Sequence, residues 1–403
     1  MKQLFVNHST VSTESRQVQQ QQEIIQIISQ SPAPLTVHEI CKKLQISVPT
    51  GQKLMSDLLD ADIVKIVGKK ETGNGRKPSL YNIKDHNFYA VGVEILLKRV
   101  SVGFFDLRFN SVYYRQKRNF VLENNEASLK EVIEFISQCI VNSGISHDRL
   151  LGMGVGITGR VNNQTGESMS YFSFMDRTLT QYLREVFDIP VLINNDTRAY
   201  GMAEKNIGKA RDTENAIVIN LSRGLGTTLI VDNKIVNGTN GFAGEFGHMQ
   251  LGDSNKMCIC GKRGCLGNEV SGYALEEEFK QAIEKGEESI VLNQTTLDEV
   301  RYDDILEAAL NGDLLSILLL QKMGRKLGRA LGNIVNLLNP EMIIIGGKFS
   351  MVKDILGDNI NTGMTNTALV NPLRTTSLEF SDLGALAGLK GAGAFVFKHF
   401  KLI

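Results

Sequence analysis

The sequence lacks an excess of either charge. Lysine plus arginine and aspartate plus glutamate each number 44 in 403 residues. No overall positive field draws the chain to nucleic acid, so any DNA-reading surface must be local. Long apolar runs are missing too. The first ten residues, MKQLFVNHST, have no apolar leader core. No stretch approaches the roughly 18 apolar residues of a membrane span. A soluble, cytoplasmic protein with no membrane insertion is expected. Cysteine is scarce: of five, three (Cys258, Cys260 and Cys265) fall within eight positions. In a reducing compartment such clustering favours a metal over disulfides. Hydrophobic residues make up 42%, enough for large cores, and the length suggests two to four domains at roughly 100–200 residues each.

Residues 1–14 read as a polar tail and 15–85 as a winged helix-turn-helix. QVQQQQ, Gln17 to Gln22, is read as a polar helix start rather than a prion-like tract. Ile24, Ile25, Ile27 and Ile28 then share one broad helical face. Thr36 with Glu39 forms a capping box, and Ile40 and Leu44 are the buried side of the second helix. The third helix turns Leu54, Leu58 and Leu59 inward and leaves Thr50, Gln52 and Lys53 outward, facing a major groove. VKIVGKKETGNGRKPSLYNI reads as strand, glycine-rich tip and strand. Its Lys65, Lys69, Lys70, Arg76 and Lys77 stand against Glu71 alone. A solvated hairpin is the plain alternative, but after a helix-turn-helix such a cluster suits DNA phosphates. Arg76 and Lys77 are the wing contacts expected at phosphate or minor groove. Paired half-sites imply a homodimer, with a homotetramer left open.

From residue 86 the texture is α/β. A three-stranded meander is followed by strand–helix alternation, and a similar order repeats after residue 215. Lobes over 86–210 and 211–403 are expected, enclosing a cleft of the kind that takes a small ligand. The helix LGALAGLKGAGAFVFK is assigned to the second lobe.

His248, Cys258, Cys260 and Cys265 make a Cys3His set, and Gly261 and Gly264 let the loop bend around a cation. Four protein ligands leave no open position, which points to structural Zn2+ rather than catalytic zinc. The alternative is three buried or redox thiols with a surface histidine. Cys41 and Cys139 are isolated and read as small core residues. Sugars bind to carboxylates and amides that serve several hydroxyls at once. Asn195 and Asp196 end a buried strand, and Glu245 and His248 lie on a glycine-flanked turn. For Asp196 alone, a turn or helix-cap role is the competing reading.

NNDTRAYGMAE, NGFAGEFGHMQL, CICGKRGCL and PEMIIIGG occur in the order of the ROK family, and the chain resembles its winged-helix, sugar-responsive repressors along nearly its whole length. The resemblance implies an actin-like, ribonuclease-H-like two-lobed sugar-kinase fold behind the winged helix. It implies zinc on the same four ligands, and sugar-hydroxyl contacts from Asn195, Asp196, Glu245 and His248. The family's Glu two residues past the last cysteine is Gly267 here, so Glu269 either replaces it or a contact is lost.

Kinases of this fold open the first lobe with a turn like DIGGT. Here the stretch is GVEILLKR, Gly92 to Arg99, with Glu94 for the Asp and Ile95, Leu96 and Leu97 for the small residues. No glycine cradle for phosphate remains. SRGLGTT, Ser222 to Thr228, is partly kept, although its glycines could serve a hairpin alone. A regulator of carbohydrate genes is therefore expected, a repressor binding operator DNA and a sugar or sugar phosphate. It would have no catalysis, and Asp196 would be a vestigial base. An active sugar kinase with a DNA-binding appendage, or a regulator sequestered by a partner protein, are the alternatives.

Overall fold

The computed structural model describes residues 13–71, 77–84, 87–252 and 255–403. It divides into two compact units. The first comprises the described residues up to Ala199 together with Leu389–Ile403, and the second is Tyr200–Gly388.

The first unit begins with α1 (Thr13–Gln30), α2 (Val37–Leu44) and α3 (Val48–Asp60), then the antiparallel pair β1 (Val64–Lys69) and β2 (Ser79–Ile83). The capping box at α2 is present, with Thr36 N–H donating to Glu39 Oε2 at 2.8 Å and Glu39 N–H to Thr36 Oγ1 at 3.3 Å. Gln45, in left-handed backbone at φ 55°, turns the chain into α3, which Ser47 caps. The two helices cross at Gly51, where a Cβ would stand 2.1 Å from Cys41 Sγ. Gly51→Ala is therefore expected to cost about 1–3 kcal/mol by overpacking, read by chemical denaturation. An unchanged midpoint would contradict this crossing. Leu54, Met55 and Leu58 are buried, so Met55 takes the core place that periodicity gave to Leu59, which is half-buried.

A five-stranded sheet follows, ordered β5-β4-β3-β6-β9. The antiparallel meander is β3 (Tyr89–Leu96), β4 (Arg99–Phe105) and β5 (Ser111–Lys117). Parallel to β3 come β6 (Leu150–Ile157) and then β9 (Val191–Asn195). Between them lie α4 (Glu126–Asn142), the short hairpin β7 (Val161–Asn162) and β8 (Glu167–Ser168), and α5 (Leu179–Phe187). Helix α6 (Asp196–Ile207) starts directly from β9.

The second unit repeats the scheme in the order β12-β11-β10-β13-β14. Strands β10 (Ala216–Leu221), β11 (Leu225–Val231) and β12 (Lys234–Ile235) form the meander. Helices α7 (Gly272–Glu284), α8 (Tyr302–Leu310) and α9 (Leu314–Leu338) precede β13 (Met342–Gly346). Then come α10 (Lys353–Thr365), α11 (Val370–Thr375) and β14 (Ser377–Phe380). β13 runs parallel to both β10 and β14.

The last helix, α12 (Ala387–His399), departs from the expected division at 210/211. From Leu389 onward it belongs to the first unit. The reason is a match of small surfaces. A Cβ on Gly92 of β3 would lie 2.2 Å from Leu389 O, and one on Gly154 of β6 would lie 1.8 Å from Ala392 O. Glycines in the sheet admit the helix backbone at a distance that any side chain would forbid.

Candidate functional site

The outward face of α3 presents Thr50, Gln52 and Lys53, all exposed. The wing is less free than its composition suggests. Lys70 Nζ lies 2.6 Å from Glu39 Oε1. Chiefly through this bond, the Glu39 carboxyl is held down to about 2. Lys70 therefore pins the wing to α2. Lys77 is exposed and 3.8 Å from Glu71, an ion pair that high salt would screen. Arg76 lies outside the described residues.

The cysteine loop brings its four expected ligands together, with all ligating atoms within 4.8 Å of one another. Cys258 Sγ and His248 Nδ1 are 3.5 Å apart, as are Cys260 Sγ and Cys265 Sγ. Zinc bonds of about 2.3 Å to sulfur and 2.0–2.1 Å to nitrogen at tetrahedral angles require roughly 3.8 Å between sulfurs and 3.5 Å from sulfur to nitrogen. The spacing fits such an ion. Gly261 and Gly264, at φ 83° and 75°, make the left-handed turns the loop needs. Burial first, then the neighbouring thiols, push the Cys265 thiol up to about 12. A bound cation reverses that balance, because a coordinating thiol is deprotonated outright. With Nδ1 in the cluster, His248 Nε2 is left facing Glu245 Oε2 at 3.9 Å. One imidazole thus joins the cysteine loop to the Glu245 turn.

In the first unit Asn195 is already at work. Its Nδ2 donates to Gly159 O at 2.8 Å, and its Oδ1 accepts from Thr197 N–H at 2.9 Å, capping α6. Each amide atom keeps a second hydrogen-bonding position. Asp196 is half-buried. Burial, and then the negative charge of Glu94, push its carboxyl up to about 6. Sequence reasoning missed this role of Glu94. The signal was a lone acid in the otherwise apolar strand YAVGVEIL. Glu94 is 8% exposed and pairs with Arg99 at 3.3 Å.

Glu269, the candidate replacement for the acid absent at Gly267, is 7% exposed, and its Oε2 lies 2.6 Å from Lys326 Nζ. Lys326 also approaches Glu278, at 3.7 Å. Its carboxylate therefore already holds a cation.

The GVEILLKR stretch forms a tight hairpin in which Leu96 pairs with Arg99 across Leu97 and Lys98. Ile95 is fully buried and Leu97 is exposed. No glycine opens the turn, and the cation nearest Glu94 is Arg99. In the second unit, Ser222 N–H donates to Gly224 O at 3.0 Å, closing the Ser222–Gly224 turn between β10 and β11.

Comparison with known proteins agrees with this layout. The ROK family profile matches residues 90–399. The xylose repressor of Caldicellulosiruptor bescii is 24% identical over 89% of this chain and 90% of its own length. The DNA-binding transcriptional dual regulator NagC of Escherichia coli is 26% identical over 89% of each. Among solved structures, a ROK family transcriptional regulator described as a homologue of the E. coli MLC protein has a TM-score of 0.81 at 24% identity. It covers 96% of this chain and 97% of that one. A ROK family glucokinase from Streptomyces griseus reaches a TM-score of 0.67 at 23% identity, covering 98% of itself but 76% of this chain. The fold is thus an N-terminal winged helix-turn-helix followed by the α/β architecture of the sugar kinases. Since the profile spans most of the sequence, in the order of elements described above, the chain belongs to the ROK family.

Proposed function

We propose that this protein is a sugar-responsive transcriptional repressor of carbohydrate-utilisation genes, with a kinase-like effector region that binds sugar without phosphorylating it. The observation that carries this reading is the reach of the relatives. The xylose repressor and the regulator NagC each match 89% of the chain and the ROK transcriptional regulator structure covers 96% of it, whereas the glucokinase covers 76%. The glycine-free Leu96–Arg99 hairpin supports the absence of phosphoryl transfer, which depends almost wholly on positioned phosphates. A coupled ADP-release assay over many sugars is expected to stay flat, and sugar-dependent turnover would contradict the reading.

Thr50, Gln52 and Lys53 would read the major groove of operator DNA, with Lys77 and Arg76 at the wing. Lys53→Ala is expected to weaken operator binding by about 1–3 kcal/mol if it reaches a base edge, or to reduce the salt slope by about one if it reaches phosphate. Lys70→Ala should change affinity less, because Glu39 already holds that ammonium. A titration in which Lys53→Ala binds like wild type would remove α3 from the DNA interface. Homodimerisation would match paired half-sites.

Structural Zn2+ would sit on His248, Cys258, Cys260 and Cys265. The hydroxyl-binding groups would be Asn195, Asp196, Glu245 and His248. Glu269 would support the metal-loop wall through Lys326. Sugar would act by population shift between states of different operator affinity. A cytoplasmic location follows from this role. In the described residues no helix is long and apolar enough to cross a membrane.

A further inference from the structure

A polar row crosses the first sheet. Gln116 of β5 pairs with Ser101 of β4, Ser101 with Glu94 of β3, Glu94 with Gly156 of β6, and Gly156 with Asn194 of β9. Directly paired residues share one face of a sheet. Gln116 Nε2 donates to Ser101 Oγ at 3.3 Å, and Asn194 Oδ1 accepts from Asn195 N–H at 2.9 Å. Glu94 is the one charge in the row. Beside it Gly156 has no side chain, and a Cβ there would stand 3.6 Å from Asp196 Cα and 3.1 Å from Ala199 Cβ. No side chain of β6 therefore stands between Glu94 and the first turn of α6, which Asp196 begins.

Two carboxyl groups thus share this corner of the first unit with one cation. Arg99 Nη2 lies 3.3 Å from Glu94 Oε2. Arg99 Nε is buried and has no hydrogen-bond partner among the described residues, so it is not offered to an incoming group. Among those residues Arg99 is the cation acting on Glu94, and Glu94 is the charge acting on Asp196. Burial pushes the Glu94 carboxyl up and Arg99 opposes it. Burial first, and then Glu94, push Asp196 up to about 6.

A phosphate monoester carries a charge of about −1.5 to −2 at neutral pH, and beside acids it meets like-charge repulsion. We propose that the sugar bound by this protein is uncharged and unphosphorylated, and that Glu94 excludes phosphate esters at the hydroxyl facing Asp196. The proposal rests on the reading of Asp196 as a sugar-hydroxyl acceptor. In a kinase the hydroxyl held by such a base is the one that receives the phosphoryl group, so its ester sets the phosphate beside Asp196. Here that phosphate would meet Asp196 and Glu94, with Arg99 already paired. The glycine turn whose backbone N–H groups would offset an acid is absent from the Leu96–Arg99 hairpin. Selection of this kind works by repelling the wrong ligand as much as by holding the right one.

The test is calorimetric titration of the full chain without DNA at about pH 8, where Asp196 and a phosphate ester are both ionised. Xylose, arabinose, glucose, mannose and N-acetylglucosamine are each compared with the ester at their terminal hydroxyl. At least one free sugar should bind, and its ester should bind at least about tenfold more weakly. Glu94→Gln removes the charge and keeps the shape, so it should narrow that gap severalfold. Glu94→Asp keeps the charge and should keep the gap. Melting of each variant checks that it is folded. An ester that binds wild type as tightly as its parent sugar would overturn the proposal, and so would an unchanged gap in folded Glu94→Gln. Binding of neither class would contradict the sugar-responsive reading itself and take this proposal with it.

Discussion

Replacing Cys260 with serine is expected to strip the protein of its metal while leaving its packed cores intact. Cys260 is exposed, whereas Cys258 and Cys265 are buried, so this substitution removes a ligand and almost no packing. The loop has little else to hold it. Met257 is 59% exposed and Ile259 fully exposed, so the tip of the loop buries little apolar surface, although its base at Cys265 and Leu266 is buried. Its backbone is tied by the isolated bridges Gln250 to Cys265 and Met257 to Arg263 and by turn hydrogen bonds such as Cys258 N–H to Lys262 O at 2.8 Å and Gly252 N–H to Gly264 O at 3.0 Å. A metal present at about 1,000 times its dissociation constant contributes about 4 kcal/mol to the folded state. Loss of that order should appear as a lower melting transition, both in Cys260→Ser and in chelator-treated wild type. Metal analysis should give about one zinc per wild-type chain and none in the variant. Sugar affinity should fall as well, because His248 Nδ1 would lose the partner that orients its Nε2. Wild type isolated without chelator and free of zinc would refute the assignment.

Asp196→Asn is expected to make the protein more stable and less responsive. The Asp196 carboxyl titrates near 6 in the fold, against an ordinary value of 3.8. A carboxyl with a raised folded value favours the folded state below about pH 4, and that contribution is lost as pH rises through 6. At neutral pH the charged form is a burden of at most about 3 kcal/mol, and less for a half-buried group. The asparagine variant should therefore exceed wild type by about 1–3 kcal/mol at pH 7 and converge with it below pH 4. Sugar binding should move the other way. An ionised acceptor for a hydroxyl contributes about 1.5–3 kcal/mol, so affinity should drop in the variant at pH 7 and in wild type below pH 6. Equal stability of the two proteins across pH would mean that Asp196 carries no strain.

Much of this was legible in the residues. The Thr36–Glu39 box, the Leu54 and Leu58 stripe and the alternation after Phe88 are local patterns, and local patterns survive folding. The cysteine loop was legible as a cluster because its Cys3His spacing is local, and the four candidate ligand atoms do lie within 4.8 Å of one another. What escaped was decided by partners far apart in sequence. The C-terminal helix was placed in the second lobe because nothing local reveals that its Leu389 and Ala392 carbonyls meet Gly92 and Gly154 of the first sheet. Helices α7, α8, α10 and α11 and strand β14 were not assigned. The packing of α10 rests on glycines in another helix, for a Cβ on Gly328 of α9 would stand 2.1 Å from Ile360 O. In the wing, composition counted Lys70 as free charge, whereas Glu39, 31 positions away, holds it. Glu94 acts on Asp196 through the parallel pairing of β3 with β6 and β6 with β9, a register that single-strand patterns do not encode.

The most direct test of a sugar-responsive regulator is an anisotropy titration of DNA that the full chain selects from random sequence, repeated across monosaccharides and their phosphates. At least one sugar should change DNA affinity by about tenfold or more, a coupling of about 1.4 kcal/mol, and Asp196→Asn should abolish the change. Salt-dependent DNA binding that no sugar alters, in a protein that does bind sugar, would contradict the account.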